Sequence, residues 1–200
     1  IRTGEAAAQA MIELRANDGS TPPEFYHPTS SEPGEWQLTA NCSQGVLLHL
    51  GDVTPFGIKR ASHFRADPPP SLHSLRYAIA YNEVKRVGGA DSSVRPQDRA
   101  DVARFYAAVV SGATWNPVAR QLATARGGSL TDNARTLALV NVAMSDALVA
   151  VFDSKYHAPF WRPVTAIHAG DADGHRMTRA DSNFEPFIGM TPCHPRYPSA

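Results

Sequence analysis

The sequence predicts an all-α fold: part of a helical bundle, an incomplete domain, with a long irregular loop region towards its N-terminal end. Three observations predict it. Apolar residues recur at helical spacing in several segments between positions 71 and 160. No alternation of strand and helix patterns appears, which argues against a parallel sheet. The stretch from Thr21 to Pro70 is instead dense in Pro, Ser, Thr and Gly. Irregular runs of that length inside a compact domain are functional or clamp onto a helical body.

Each element follows in order. Glu5 to Arg15 reads as a helix, expected to be truncated at its start, ended by the turn-like Asn17-Asp18-Gly19-Ser20. Residues 1–20 are this helix, 21–70 the loop region, with a weak strand alternative at Gly45 to Leu50, and 71–200 the bundle part. Pro68-Pro69-Pro70-Ser71 announces a second helix. Its buried face is expected to carry Leu72, Leu75, Ile79 and Val87, and Gly88-Gly89 closes it. Gln97 to Val110 reads as an amphipathic helix with Val102, Phe105, Tyr106 and Val109 on one side. Pro117 is expected to open a short helix that Gly127-Gly128 stops. Thr131 is the expected N-cap of the strongest helix. Its stripe is Leu137, Val140, Met144, Leu148 and Val151, and apolar or small residues on its other sides place it mid-bundle.

Composition excludes several functions. Hydrophobic residues make up 42% of the 200, so the chain is not disordered. The 19 basic and 19 acidic side chains cancel, and no dense Lys/Arg run draws the chain to nucleic acid. The apolar stretch from Leu137 to Phe152 is broken by Asn141, Ser145 and Asp146 and is short for a bilayer span of ~20 residues. Two cysteines, Cys42 and Cys193, are able to pair but do not make a disulfide framework. Because the chain begins with Ile1, a removed leader would leave no trace.

The chemistry lies where the strongest helix ends. Counting on from Met144, Leu148 and Val151, the next place on its stripe is Lys155. An inward ammonium without a partner is costly to bury, and no carboxylate on that stripe offers itself. Arg162 follows seven residues later. If the helix persists, the two cations share a face about 10 Å apart, and a kink at Pro159 brings them closer. A point charge and a planar fork together suit a phosphate-like oxyanion. The bland alternative is two surface charges at a helix end.

Lys155 to Pro163 matches K-x6-R-P, and Tyr197-Pro198-Ser199-Ala200 looks like the start of P-S-G-H. With Tyr81-Asn82-Glu83-Val84-Lys85, Asn133-Ala134-Arg135 and Trp161-Arg162-Pro163-Val164-Thr165-Ala166-Ile167, the chain from about Gly4 to Ala200 resembles the vanadium-dependent haloperoxidase / type 2 phosphatidic-acid-phosphatase superfamily, in its bacterial haloperoxidase-like branch. The resemblance implies an α-helical bundle that holds vanadate, or phosphate in phosphatases. It implies Lys155, Arg162, Ser199 and the backbone N–H of Ala200 as oxyanion ligands, with no protein ligand to the metal in this stretch. The catalytic histidines of the family would follow Ala200, so the chain is expected to hold half a cradle and to be inactive alone. Ala200 stands where the family has glycine, and Phe152 where tryptophan is common. His194 stands where bromoperoxidases also have histidine. Phe152 and His194 are thus halide-side candidates, the alternative being a loop histidine with no role.

The resemblance implies peroxide-dependent halide oxidation at bound vanadate. A phosphomonoester hydrolase using the same cradle is the alternative, and a non-catalytic helical scaffold the second alternative. Its implied partners are small molecules, peroxide and halide or a phosphoester, with a homo-oligomer or a further C-terminal segment completing the bundle. A secreted or periplasmic location is slightly favoured. Asp171-Ala172-Asp173-Gly174 opens like a calcium loop, but the twelfth position is Ser182, so a polar turn is expected. Asp146, inside the apolar helix, needs a partner and is expected to cap another segment or hold an arginine of the cradle. His157 and His168 flank the cation pair and are expected to be structural.

Overall fold

The computed structural model describes residues 1–109 and 111–198, the side chain of residue 111 excepted. Six α-helices run in order: α1 (Arg2–Leu14), α2 (Leu75–Val87), α3 (Gln97–Ala108), α4 (Ser111–Arg126), α5 (Leu130–His157) and α6 (Pro163–His168). Short 3-10 turns lie at Leu48–Asp52, Ala61–Phe64 and Gly170–Ala172. Among the described residues there is no strand, and three isolated bridges are the whole β content. The all-α expectation holds, and the weak strand at 45–50 resolves into the bridge Tyr26–Gly45 followed by a 3-10 turn.

α5 organises the molecule. Its start is capped by Ser129, whose hydroxyl accepts from Asp132 N, and not by Thr131. Its 28 residues would reach across a bilayer by length and composition alone. Its C-terminal half is instead held inside the protein by polar contacts. Asp146 is buried and accepts three main-chain bonds from the loop region: Phe56 N at 2.7 Å, Gly57 N at 2.6 Å and Ile58 N at 3.1 Å. Asp153 takes both nitrogens of an Arg65 fork at 2.7 and 2.8 Å. Ser154 accepts from Ala66 N and donates to Ala150 O. Asp146 therefore caps another segment, as one of its two expected roles had it. The loop region does clamp onto a helix, at Leu48–Asp52 and Ala61–Phe64. It approaches so closely at Gly51 that a Cβ there would lie 2.9 Å from the Asp153 Cα.

That clamp decides which part of α5 is buried. Val149, Ala150, Phe152, Ser154 and Lys155 are interior, whereas Leu139 and Leu148 are exposed and Leu137, Val140 and Met144 only half-buried. The helix is thus central at its C-terminal half alone. α4 packs along α5, and Asn116 and Asn141 exchange amide hydrogen bonds between them. α4 begins at Ser111, so Pro117 sits inside it and does not open it.

α2 corrects the sequence in a second place. Ser74 caps it, its hydroxyl accepting from Tyr77 N, and Gly88 ends it as expected. Its buried residues are Tyr77, Ala78 and Tyr81, while Leu75 and Ile79 are 60% and 57% exposed. The reason is its neighbour. α2 packs against α6, and Tyr77, Tyr81, Trp161, Ala166, Ile167 and Phe184 form one apolar cluster. α3 buries only Ala100, so Val102, Phe105 and Tyr106 face outward. Val110, the expected end of α3, lies outside the described residues.

Candidate oxyanion site at the end of the central helix

α5 stops at His157. Ala158 leaves helical geometry, and Phe160 pairs with Glu35 in an isolated bridge. Trp36 N donates to Pro159 O and Trp161 N to Gly34 O, which stitches this connector to the loop region. Pro163 then opens α6 as its first residue, with Arg162 as N-cap. The helix does not persist from Lys155 to Arg162. The break at Pro159 puts Lys155 in the last turn of one helix and Arg162 just before the first turn of the next.

Both cations are interior, Lys155 2% and Arg162 4% exposed. Both reach the same segment, residues 192–198. The Lys155 ammonium donates to the carbonyls of Pro195 (3.3 Å), Arg196 (3.1 Å) and Pro198 (2.5 Å). The Arg162 guanidinium donates to those of Pro192 (2.6 Å) and His194 (2.5 Å). Among the described residues no carboxylate pairs with either. Carbonyl dipoles, together with the negative end of the α5 dipole at Lys155, supply the compensation that the sequence could not locate.

Dipoles do not cancel charge, and the proton equilibria show it. Burial, then Arg196, then Arg162 pull the Lys155 ammonium down to about 8. Burial and Arg196 pull Arg162 to about 10, with Tyr156 opposing. Burial pulls His194 to about 4, and the three cations add to that against its bond with the Pro195 carbonyl. His194 is therefore neutral at neutral pH. Its ring meets Phe152 edge-on at 5.3 Å, so the two halide-side candidates are in contact beside Arg162. Arg162 Nε is buried without a hydrogen-bond partner among the described residues. Buried cations without a counter-charge among the described residues, with that donor open, fit a tetrahedral oxyanion.

Ser199 and Ala200, the other two sequence candidates, lie outside the described residues. His157 is exposed, and His168 bonds the Phe184 carbonyl through Nε2 at 2.9 Å. The 171–174 stretch is a polar turn. Asp173 Oδ1 accepts from His175 N and Thr178 Oγ1, and Asp171 accepts from Ala180 N. Sequence reasoning missed Arg196, the third cation of the site. It stands in a proline-rich segment with no periodicity to give its direction, 34 residues beyond Arg162.

A disulfide joins Cys42 to Cys193, which settles the open question of their pairing. It ties the segment that covers the cations to the loop region. Around it Asn41 Nδ2 donates to Thr191 O, Thr191 Oγ1 to Thr39 Oγ1 and Val46 N to Cys193 O.

Comparison with known proteins bears on the fold. Residues 135–200 match a family model described as the VCPO second helical-bundle domain. A solved bacterial vanadium-dependent iodoperoxidase matches with a TM-score of 0.72 at 23% identity, over 95% of this chain. The chain spans 47% of that iodoperoxidase. No curated protein matches. Residues 135–200 are thus similar to that second helical-bundle domain, and the chain shares the fold of a vanadium-dependent haloperoxidase.

Proposed function

We propose that this chain supplies part of the oxyanion site of a vanadium-dependent haloperoxidase-like enzyme, which oxidises halide with hydrogen peroxide. The observation that carries the reading is a pair of buried cations, Lys155 and Arg162, with no carboxylate partner and with Arg162 Nε unpartnered among the described residues. Lys155 and Arg162 would hold vanadate by its oxygens, Ser199 and the Ala200 N–H joining them by resemblance. When bound, vanadate supplies a Lewis acid that activates peroxide towards halide.

The chain's own residues set the surroundings. Lys155 and Arg162 bring positive charge to where negative charge gathers on oxygen, in a setting that excludes most water. Arg162 is oriented by the Pro192 and His194 carbonyls, and those carbonyls are held by the Cys42–Cys193 disulfide nearby. Neutral His194 and Phe152 present an edge of low charge beside the cations, a suitable surface for a weakly hydrated halide. The disulfide also supports a secreted or periplasmic location, where such bonds persist.

The test is an assay of the intact protein with vanadate, peroxide and bromide, and separately with a chromogenic phosphomonoester. Bromination that requires vanadate, without hydrolysis, supports the reading. Phosphoester turnover blocked by vanadate would replace it with an acid phosphatase, and failure of both would leave a non-catalytic scaffold. Exposed Phe105, Tyr106, Trp115 and Leu122 further support an association partner for α3 and α4, a second copy of the chain or another part of the protein. Light scattering that returns 21.6 kDa for the isolated chain would remove the second-copy option.

A further inference from the structure

The segment over the two cations is fastened on its far side by sulfur. Pro192 and His194, whose carbonyls accept from Arg162, flank Cys193, and Cys193 is bonded to Cys42. Pro195, two residues on, offers its carbonyl to Lys155 at 3.3 Å. The disulfide thus ends one residue from each carbonyl that aims Arg162.

The loop region opposite has anchors that do not pass through sulfur. Tyr26 and Gly45 exchange both main-chain hydrogen bonds, at 2.8 and 2.7 Å. Tyr156, in the last turn of α5, donates its hydroxyl to Val46 O at 2.5 Å. Its ring packs on Tyr26 and Phe152, with centroids 5.3 and 6.4 Å away. Further along, Asp146 and the Arg65–Asp153 fork fasten residues 56–65 to α5.

Residues 191–195 hold to the loop region by less. Apart from sulfur, the contacts among the described residues are Val46 N to Cys193 O at 2.7 Å, Asn41 Nδ2 to Thr191 O at 3.0 Å, and the Thr191 hydroxyl to Thr39 and Asn41. All are neutral hydrogen bonds, which water replaces at small net cost where it has access. Both cysteines are only half-buried, within reach of a small thiol. Opening the disulfide therefore releases the 191–195 side first, and with it the aim of Arg162.

We propose that the Cys42–Cys193 disulfide is a redox-sensitive positioning device for Arg162, so that its reduction lowers the affinity of the oxyanion site, given that the site holds an oxyanion. The reductant is a dithiol. One of its thiolates attacks a protein sulfur, and its second thiol resolves the mixed disulfide. Two electrons and two protons pass to the protein, which gains two thiols while the dithiol becomes a disulfide. Coupling is reciprocal: an oxyanion that prefers the closed form protects that form against reduction.

The protein is titrated calorimetrically with tungstate at pH 7 in two states. One is the disulfide form, and the other is reduced with dithiothreitol and freed of it by gel filtration under argon. The reduced form should keep its helix content by circular dichroism and bind tungstate at least about tenfold more weakly. In Arg162→Gln the two states should differ by no more than about twofold, because the tether acts through the guanidinium. In dithiothreitol redox buffers, saturating tungstate should lower the midpoint potential of the disulfide by about 30 mV for a tenfold affinity ratio. Equal affinity of the two wild-type states, an unmoved midpoint, an equal drop in Arg162→Gln, or loss of helix on reduction would each overturn the proposal and leave the oxyanion reading standing. Absence of tungstate binding by the folded disulfide form would overturn the oxyanion reading and the proposal with it.

Discussion

Lys155 makes stability depend on pH in a direction opposite to that of a salt-bridged lysine. In the fold its ammonium releases its proton at about 8, against 10.5 in the unfolded chain. Between these values the unfolded state binds more protons, so stability rises with pH across that window. Below about 8 the penalty of the buried charge is fully present, and above 10.5 it is gone. The difference corresponds to about 3 kcal/mol, with no discount for screening because Lys155 is 2% exposed. Other groups titrate over the same range, so the measurement is a comparison. Wild type and Lys155→Met are unfolded in urea at pH 7.5, 9 and 10.5. The stability of wild type relative to the variant should climb by about 3 kcal/mol from the first pH to the last. Saturating tungstate, which keeps its charge throughout, should flatten the climb by favouring the ammonium. A relative stability that stays within about 1 kcal/mol across the range would refute the claim that this charge is buried without a counter-charge.

Other consequences follow from the same contacts. Asp146→Ala strips three amides of one charged acceptor and should lower unfolding free energy by about 3 kcal/mol in urea, releasing the 56–58 turn to faster amide exchange. Replacing Cys42 and Cys193 by serine opens a link across 151 residues. The chain-entropy model sets the loss at about 5 kcal/mol, and the Val46 amide, which bonds the Cys193 carbonyl, should exchange faster. On α2, Ile79→Ser should change stability by no more than about 0.5 kcal/mol. Ala78→Leu, at a fully buried position, should cost about 1–3 kcal/mol. Equal effects at 78 and 79 would mean that the wrong face of α2 is taken as buried.

Helices and their order were legible because period and punctuation agree over long segments. Which face of a helix is buried was less so. In α2, Leu75 and Ile79 lie on one helical stripe while Tyr77, Ala78 and Tyr81 lie on another. Composition favours the first, but α6 packs on the second. α5 shows the reverse. The stripe through Met144, Leu148 and Val151 pointed correctly to an inward Lys155, although Leu148 itself is exposed. Only the C-terminal half of α5 is gripped by the loop region, and nothing local in the sequence encodes where that grip begins. At the site, K-x6-R-P drew attention to Lys155 and Arg162. What satisfies them was hidden, because main-chain carbonyls carry no sequence signature. Arg196 was hidden for a related reason, since its approach to the site depends on the path of a proline-rich segment tethered by a disulfide.

The account rests on Lys155 and Arg162 acting together on a tetrahedral oxyanion, and calorimetric titration with tungstate tests that most directly. Wild type at pH 7 should bind one tungstate per chain. Lys155→Met and Arg162→Gln, each shown folded by circular dichroism, should weaken it at least about tenfold, as expected when one charged hydrogen-bonding partner is lost. Absence of binding by folded wild type, or variants that bind as tightly as wild type, would contradict it.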